Sequence, residues 1–554
     1  MSFRNTMTRS SGLRTILAAA ALALSAGAVH LPAQAQPAQA QPAQKAIFWG
    51  VVGDIDFMDI HRASGALSWR YLELAYEPLL TVDKDTKIQP LLAESWRQTS
   101  PTSYEFTIRQ GAKFSNGRPV VADDVIGSFA RLSGQEMNPA GVAAARTDED
   151  KKKASNKITS YWAKQLGDFK SLVAVNDRTV RVELAQPNAA FLGAVAHITT
   201  SIIPMKEFRD GSFDPMKRFL GTGPYAMSVH KPKESWVFTR NTHYWRPGHP
   251  KADVLNVVII PDEAARLAAL RDGRVDFAAF TNPDINRLTH GDNRLAVTAQ
   301  QTPNFYRLDI NALGEKSPFK DKRLRQALNL AIDRDAIAKI VFGGHSQPEY
   351  PIPAVFNQRA CRDLDSYKLS RPERLKKARE LMAAAGKTRV DFELLTNPAD
   401  PSYSRIAQLM QQNLREVGIN ARIQQIAVPD FINRVWTKTE FDVATAWMAG
   451  YSDPGMVPLW WNPTTAVWNK AYFENVPAMN AALEKMMVAP VGPERDAALV
   501  EACRLIDDGA NLLALVTKVD FIVHRPDLID IKLDRVVPGS NFNHMGEFAT
   551  KRSQ

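Results

Sequence analysis

Apolar positions along this chain switch repeatedly between a period of two, a period of about 3.6, and short unbroken runs. Ile47 to Val52 is an unbroken run closed by Gly53 and Asp54, the mark of a buried strand. Leu67 to Leu80 carries helical spacing. Tyr104 to Arg109 alternates, with Phe106 and Ile108 on one face, as a half-buried strand does. Asn116-Gly117 marks a tight turn, and Ala122-Asp123-Asp124 opens a helix running to about Leu132. Val173-Ala174-Val175 and Val180 to Leu184 flank Asn176-Asp177, a hairpin signal.

From Gly221 onward strands and helices alternate. Trp236 to Arg240 and Val254 to Ile260 read as strands, Glu263 to Arg271 as a helix, and Val275 to Phe277 as a short strand. Leu324, Leu328, Ile332, Ile337, Ile340 and Val341 mark an amphipathic helical region. Then come a helix over Arg374 to Ala385, a strand over Val390 to Leu395, a helix over Ser404 to Val417 and a strand over Ile419 to Ile426. A buried strand over Phe441 to Trp447 follows. This rhythm predicts α/β lobes built on mixed sheets. Between Gly134 and Asn156 the pattern fades, and the run Asp148 to Lys153 reads as a solvated face.

The first 35 residues form a separate object. Arg4, Arg9 and Arg14 precede an apolar stretch from Ile16 to Val29, and Ala33-Gln34-Ala35 supplies a small-x-small cleavage site. This is a secretory signal peptide, too short in its apolar run for a membrane span, and it predicts export to the periplasm. Residues 36–44, with a Gln-Pro-Ala repeat, read as a disordered leader.

Composition adds mostly exclusions. The 554 residues are 45% hydrophobic and 23% charged, which is ordinary for a globular protein and leaves room for about three or four domains. The formal charge is +10, and removing three signal arginines leaves 66 − 59 = +7. Basic residues are interleaved with acidic ones, so no block suited to nucleic acid exists. Cys361 and Cys503 are the two cysteines, and their spacing leaves open whether they pair. Gly386-Lys387-Thr388 lacks the first glycine of a phosphate loop, since Leu381 stands there, and Gly221-Thr222-Gly223 lacks the third glycine of a dinucleotide fingerprint. No H-E-x-x-H or G-x-S-x-G string occurs, and the histidines are scattered. Neither an enzyme, a metal site nor a cofactor is expected.

Five strings, in order, carry a family resemblance. They are Pro90 to Trp96 with Phe106 to Phe114; Gly221-Thr222-Gly223-Pro224-Tyr225; Arg240-Asn241-Thr242-His243-Tyr244-Trp245; Pro318 to Leu328 with Ala331 to Arg334; and Gln412 to Asn420. Together they resemble the family 5 extracellular solute-binding proteins, the peptide, nickel and opine receptors of ATP-driven importers. Read without the family, most of these residues are fold determinants: Asp321 stands at a helix N-cap, and Gly418 ends a helix where φ must be positive.

The resemblance implies a two-lobe clamp with an extra subdomain. Lobe one would comprise 45–88, 204–303 and 516–554, the subdomain 89–203, and lobe two 304–515. The chain would cross between lobes near Gln301 to Arg307 and near Leu515 to Asp520. The implied function is capture of a small solute (peptide, opine, sugar or conjugate) by lobe closure and delivery to ABC permease subunits in the inner membrane, by a monomer. A sensory binding protein or a chaperone-like binder of extended chains is the alternative.

The resemblance also points to site residues. In peptide-binding relatives a strand ending in Trp leads to an Asp that holds the ligand's amino group; aligned on Trp447 and Pro454, that position is Gly450. Asp453 is either a substitute or a turn residue. Trp447, Met448, Tyr451 and Trp460 offer apolar and stacking surface, with Trp460 and Trp461 equally readable as packing. Phe57, Met58 and Asp59 match the first cleft-lining segment. Arg307 is either a partner for a ligand carboxylate or one half of a structural ion pair.

Overall fold

The structure, a computed structural model, describes residues 45–63, 65–83, 87–134, 163–352, 361, 363–450, 453–456, 458–463, 472–530 and 550–551. The segments read as signal peptide and leader, the charged run at 148–153, Tyr451 and Trp468 lie outside the described residues.

Among the described residues, sixteen strands of three or more residues carry the fold. They are β1 Ala46–Val51, β2 Leu80–Val82, β3 Ile88–Pro90, β4 Ala93–Ser100, β5 Ser103–Ile108, β6 Phe169–Asn176, β7 Thr179–Leu184 and β8 Tyr225–Lys231. Then come β9 Ser235–Arg240, β10 Val254–Ile259, β11 Phe277–Phe280, β12 Ala296–Ile310, β13 Val390–Thr396, β14 Ile419–Gln425, β15 Val443–Met448 and β16 Leu512–His524. Ten of them form one mixed sheet in the order β14-β13-β15-β12-β16-β11-β1-β10-β9-β8. A separate antiparallel sheet, β4-β5-β7-β6, carries the predicted hairpin at Asn176 and packs under the helix Ala122–Leu132, whose Val125, Phe129 and Leu132 are buried.

The two halves of the large sheet are joined through β12 and β16. The first part of β12 (296–301) pairs with the last part of β16 (519–524), which pairs in turn with β11; the last part of β12 (305–310) pairs with β15. Between them the ladder breaks. Gln301 faces Val519 and Phe305 faces Thr517, so residues 302, 303 and 304 stand opposite Lys518 alone. Pro303 has no N–H to give a ladder, which favours an irregularity at this point. Both chain crossings expected from the sequence fall on these strands.

Several predicted elements change length for tertiary reasons. The helix expected over Leu67 to Leu80 is Ala66–Leu72, which ends in a turn at 73–75 before the strand at Leu80. Pro78 disfavours helix at Glu77, and the Glu77 carboxylate is fully buried, where it accepts hydrogen bonds from Thr222 Oγ1 (2.9 Å), Tyr244 OH (3.1 Å) and Trp245 Nε1 (3.0 Å). Two of the family-like strings thus converge on one buried carboxylate. Gly223 serves close approach: a Cβ there would lie 2.6 Å from the Ala75 carbonyl carbon, where the Gly223 N–H donates to the Ala75 oxygen. Gly418 has φ +82°, as its helix-ending role requires. The short strand expected at Val275 to Phe277 sits later, at Phe277–Phe280. Cys361 and Cys503 form a buried disulfide with Cα atoms 5.3 Å apart.

Candidate functional site

β1 runs parallel to both β10 and β11, and β13 runs parallel to β14 and β15. In open α/β sheets, ligands sit outside the carboxyl ends of such strands. Here the ends of β1, β10 and β11 face the end of β13 across a cavity of about 360 Å³, lined by 50–52, 261–263, 279, 281 and 282 on one side and by Pro398, Ala399 and Pro401 on the other. Trp49, Arg70, Arg266 and Asp520 complete the wall.

The wall is polar and preorganised. Glu263 Oε1 accepts the Thr281 N–H (2.9 Å), and Arg266 donates through Nη1 to the carbonyls of Ile260 and Pro261 (both 2.7 Å). Arg70 Nη2 donates to Asp520 Oδ2 (3.0 Å), and Lys518 Nζ contacts the other oxygen of the same carboxylate. The Lys518 ammonium also lies 5.7 Å from the ring centroid of Trp447. Asp400, just beyond the end of β13, accepts from Tyr306 OH (2.8 Å) and the Ser402 N–H (2.9 Å). Burial pushes the Asp400 carboxyl above the usual range, against the pull of Lys518. These buried charges are matched by partners, the condition under which ions persist away from water.

None of the described residues proposed from sequence is among those lining this cavity. Phe57 is exposed at 41%, on a loop pinned at both ends: Asp54 accepts from Trp236 Nε1 (2.8 Å) and the Lys233 N–H (2.9 Å), and Asp56 accepts the Gly65 N–H (3.1 Å). Met58 is half-buried and packs on the core. Asp59 is 1% exposed, and its carboxylate is held by Arg131 Nη2 (2.5 Å) and Nη1 (3.1 Å), which ties this loop to the helix Ala122–Leu132. Burial works to raise the Asp59 carboxyl, and the Arg131 guanidinium outweighs it, holding the group below its ordinary value.

Of the two readings of Arg307, the structure places it in an ion pair: its side chain is buried and its Nε lies 2.9 Å from Asp309. Asp453 pairs with Arg495 through Nη2 (2.5 Å) and Nη1 (3.2 Å) and accepts the Gly455 N–H, which is turn chemistry. Trp447 is half-buried and Met448 buried at the end of β15. The Gly450 N–H donates to Asn304 Oδ1 (2.8 Å), so the bulge of β12 positions the segment after β15. Trp460 is half-buried against the core, and Trp461 is buried with its Nε1 donating to the Leu512 carbonyl.

Sequence reading missed Arg70, Glu263, Arg266, Lys518, Asp520 and the turn at Pro398. One signal was available for two of them: Lys518 and Asp520 interrupt a mostly apolar thirteen-residue strand, and a charged pair in such a run demands a reason. The Pro-Asp-Glu string directly after β10 was another, because strand ends are where α/β sheets bind ligands.

Comparison with known proteins shows the family and the fold. The chain is 26% identical over 450 residues to the glutathione-binding protein GsiB of Salmonella typhi, covering 78% of this chain and 81% of that one. Its fold matches DppA of Helicobacter pylori, solved with the peptide STSA, at a TM-score of 0.72 and 22% identity, covering 92% and 99% of the two chains. It likewise matches NikA of Staphylococcus aureus, solved with Ni(L-His)2, at a TM-score of 0.72 and 17% identity, covering 92% and 100%. The family description "bacterial extracellular solute-binding proteins, family 5 Middle" matches residues 87–469, and the chain belongs to that family: it is a solute-binding protein, not an enzyme.

Proposed function

We propose that this protein captures a small peptide-like solute in the periplasm by closing two lobes on it, and presents it as a monomer to the permease of an ABC importer. The observation that carries this reading is the cavity built jointly by the strand ends of both halves of the sheet, together with the break in the two crossing strands at 302–304 and Lys518. A break shared by both crossings permits hinge bending, the motion that solute capture needs. The lobes are 45–88, 204–303 and 516–554 against 304–515, with 89–203 as the subdomain. The implied solutes are peptides, conjugates, opines or sugars.

The site is indifferent to a free amino terminus. Gly450 supplies no carboxylate, and Asp453, the neighbour able to replace it, is committed to Arg495 and its own turn. An ammonium buried there would forgo a charge-assisted bond worth roughly 1.5–3 kcal/mol. A thermal-shift screen of peptides, reduced glutathione, opines and sugars identifies the solute. Solution scattering should then show a smaller radius of gyration on binding, and an unchanged profile at saturation rejects the clamp. Calorimetry with the solute and its N-acetylated form should show less than about a tenfold difference, or roughly 1.4 kcal/mol. Gly450→Asp should create a preference for the free amine.

A further inference from the structure

Beside the cavity, a segment from each of its two sides touches the other in register. On one side the chain leaving β11 forms a turn at 281–285; on the other the helix Pro401–Arg415 begins just after the cavity-lining Pro398 and Ala399. Ser402 Oγ donates to the Thr281 carbonyl (3.2 Å), and Arg405 Nη2 donates to Asp284 Oδ2. Ser402 and Arg405 lie one helical turn apart, so they share a face, and Thr281 and Asp284 have the same spacing in the opposing turn. β11 belongs to the half of the sheet built on β1, and this helix to the half built on β13 and β15. The two contacts therefore run across the cleft, and neither involves Asp520 of the cavity wall. Asp284 has a second cation at hand, Arg287 of its own turn at 3.5 Å.

We propose that Asp284 and Arg405 form a latch across the cleft, setting how far the lobes are closed before solute arrives and thereby the affinity for solute, without contacting the solute. The inference rests on the clamp reading above. A solute that binds the closed form gains apparent affinity in proportion to the closed fraction. Both side chains are about one-third exposed, so the pair acts within the range of a surface ion pair. Arg287 stays on the same side of the cleft as Asp284 and cannot bridge it.

The test uses the full mature chain with no added solute. Solution scattering is recorded on wild type, Asp284→Lys, Arg405→Glu and the charge-swapped double variant, with thermal melts showing that each is folded. Each single reversal should enlarge the radius of gyration, with the closed-to-open ratio falling by up to roughly fivefold, and the double swap should restore the wild-type profile. Single reversals with wild-type profiles overturn the latch, and so does a double swap that stays open. Reduced glutathione, added as a probe to the same set, separates the two readings. If it contracts wild type while the reversals leave the solute-free profile untouched, the clamp stands and the latch falls. If reduced glutathione raises the wild-type melting temperature yet contracts no profile, and no reversal alters the solute-free profile, both fall.

Discussion

Asp59→Asn separates a cleft residue from an anchor. The carboxylate is 1% exposed and meets Arg131, itself 1% exposed, through two hydrogen bonds of 2.5 and 3.1 Å; it also accepts the His61 N–H at 3.1 Å. Replacing the carboxylate with an amide leaves the Arg131 guanidinium buried beside a neutral partner, a change that costs about 3–5 kcal/mol in comparable buried pairs. Unfolding entropy near 2.1 cal/mol/K per residue makes each kcal/mol worth roughly 1 °C in a chain of this length, so melting should fall by roughly 3–5 °C. Asp59→Asn combined with Arg131→Met removes both charges and should recover most of the loss, because buried ion pairs are often replaceable by apolar side chains at little cost. Differential scanning calorimetry reads both variants. Calorimetric titration with whichever solute raises the wild-type melting temperature should show affinity unchanged within about twofold, or roughly 0.4 kcal/mol. Unchanged melting together with lost binding in Asp59→Asn would refute the anchor assignment and return Asp59 to the cleft.

Acid sensitivity should begin well above the carboxylate range. Burial holds both His61 and His197 down to about 3 from an ordinary 6.5, so the fold keeps them neutral while the unfolded chain takes up protons below 6.5. Their stability contribution is complete above pH 6.5 and is lost progressively toward pH 3, with a slope approaching about 2.7 kcal/mol per pH unit for two groups. Melting scans from pH 7.5 to 4.5 check this, and a flat profile between pH 6 and 5 would contradict it. Gly223→Ala should destabilise by about 1–3 kcal/mol, since the new Cβ meets the backbone of Leu74 and Ala75, which cannot move aside as a side chain can; equilibrium unfolding in urea measures the loss. Cys503→Ser opens a link across 142 residues of chain and should cost about 2–5 kcal/mol, read as a melting temperature that no longer responds to reductant.

Where an element is settled by its own residues, the sequence alone determined it. The helix Glu263–Arg271 lies where the pattern places it, with Asp262 capping the Ala265 N–H. The helix Ala122–Leu132, the hairpin at Asn176 and the strands Val390–Thr396 and Ile419–Gln425 follow equally from local period and turn chemistry. The family strings were legible for the same reason, because they record local turns, caps and close approaches. Tertiary structure decided what depends on a partner distant in the chain. Glu77 ended a helix early because its hydrogen-bond donors come from Thr222, Tyr244 and Trp245. Asp59 is paired with Arg131, seventy-two positions away. The crossing strands, read from sequence only as linkers, became the longest in the sheet because strand pairing is satisfied between segments more than two hundred residues apart. The cavity belongs wholly to this second class: its charged wall joins Arg70 to Asp520 and sets the ends of β1 and β11 against Pro398. A residue's charge and size are written in the sequence, but which buried charge it must neutralise is fixed only when the chain has folded, since burial without a partner is what the fold cannot tolerate.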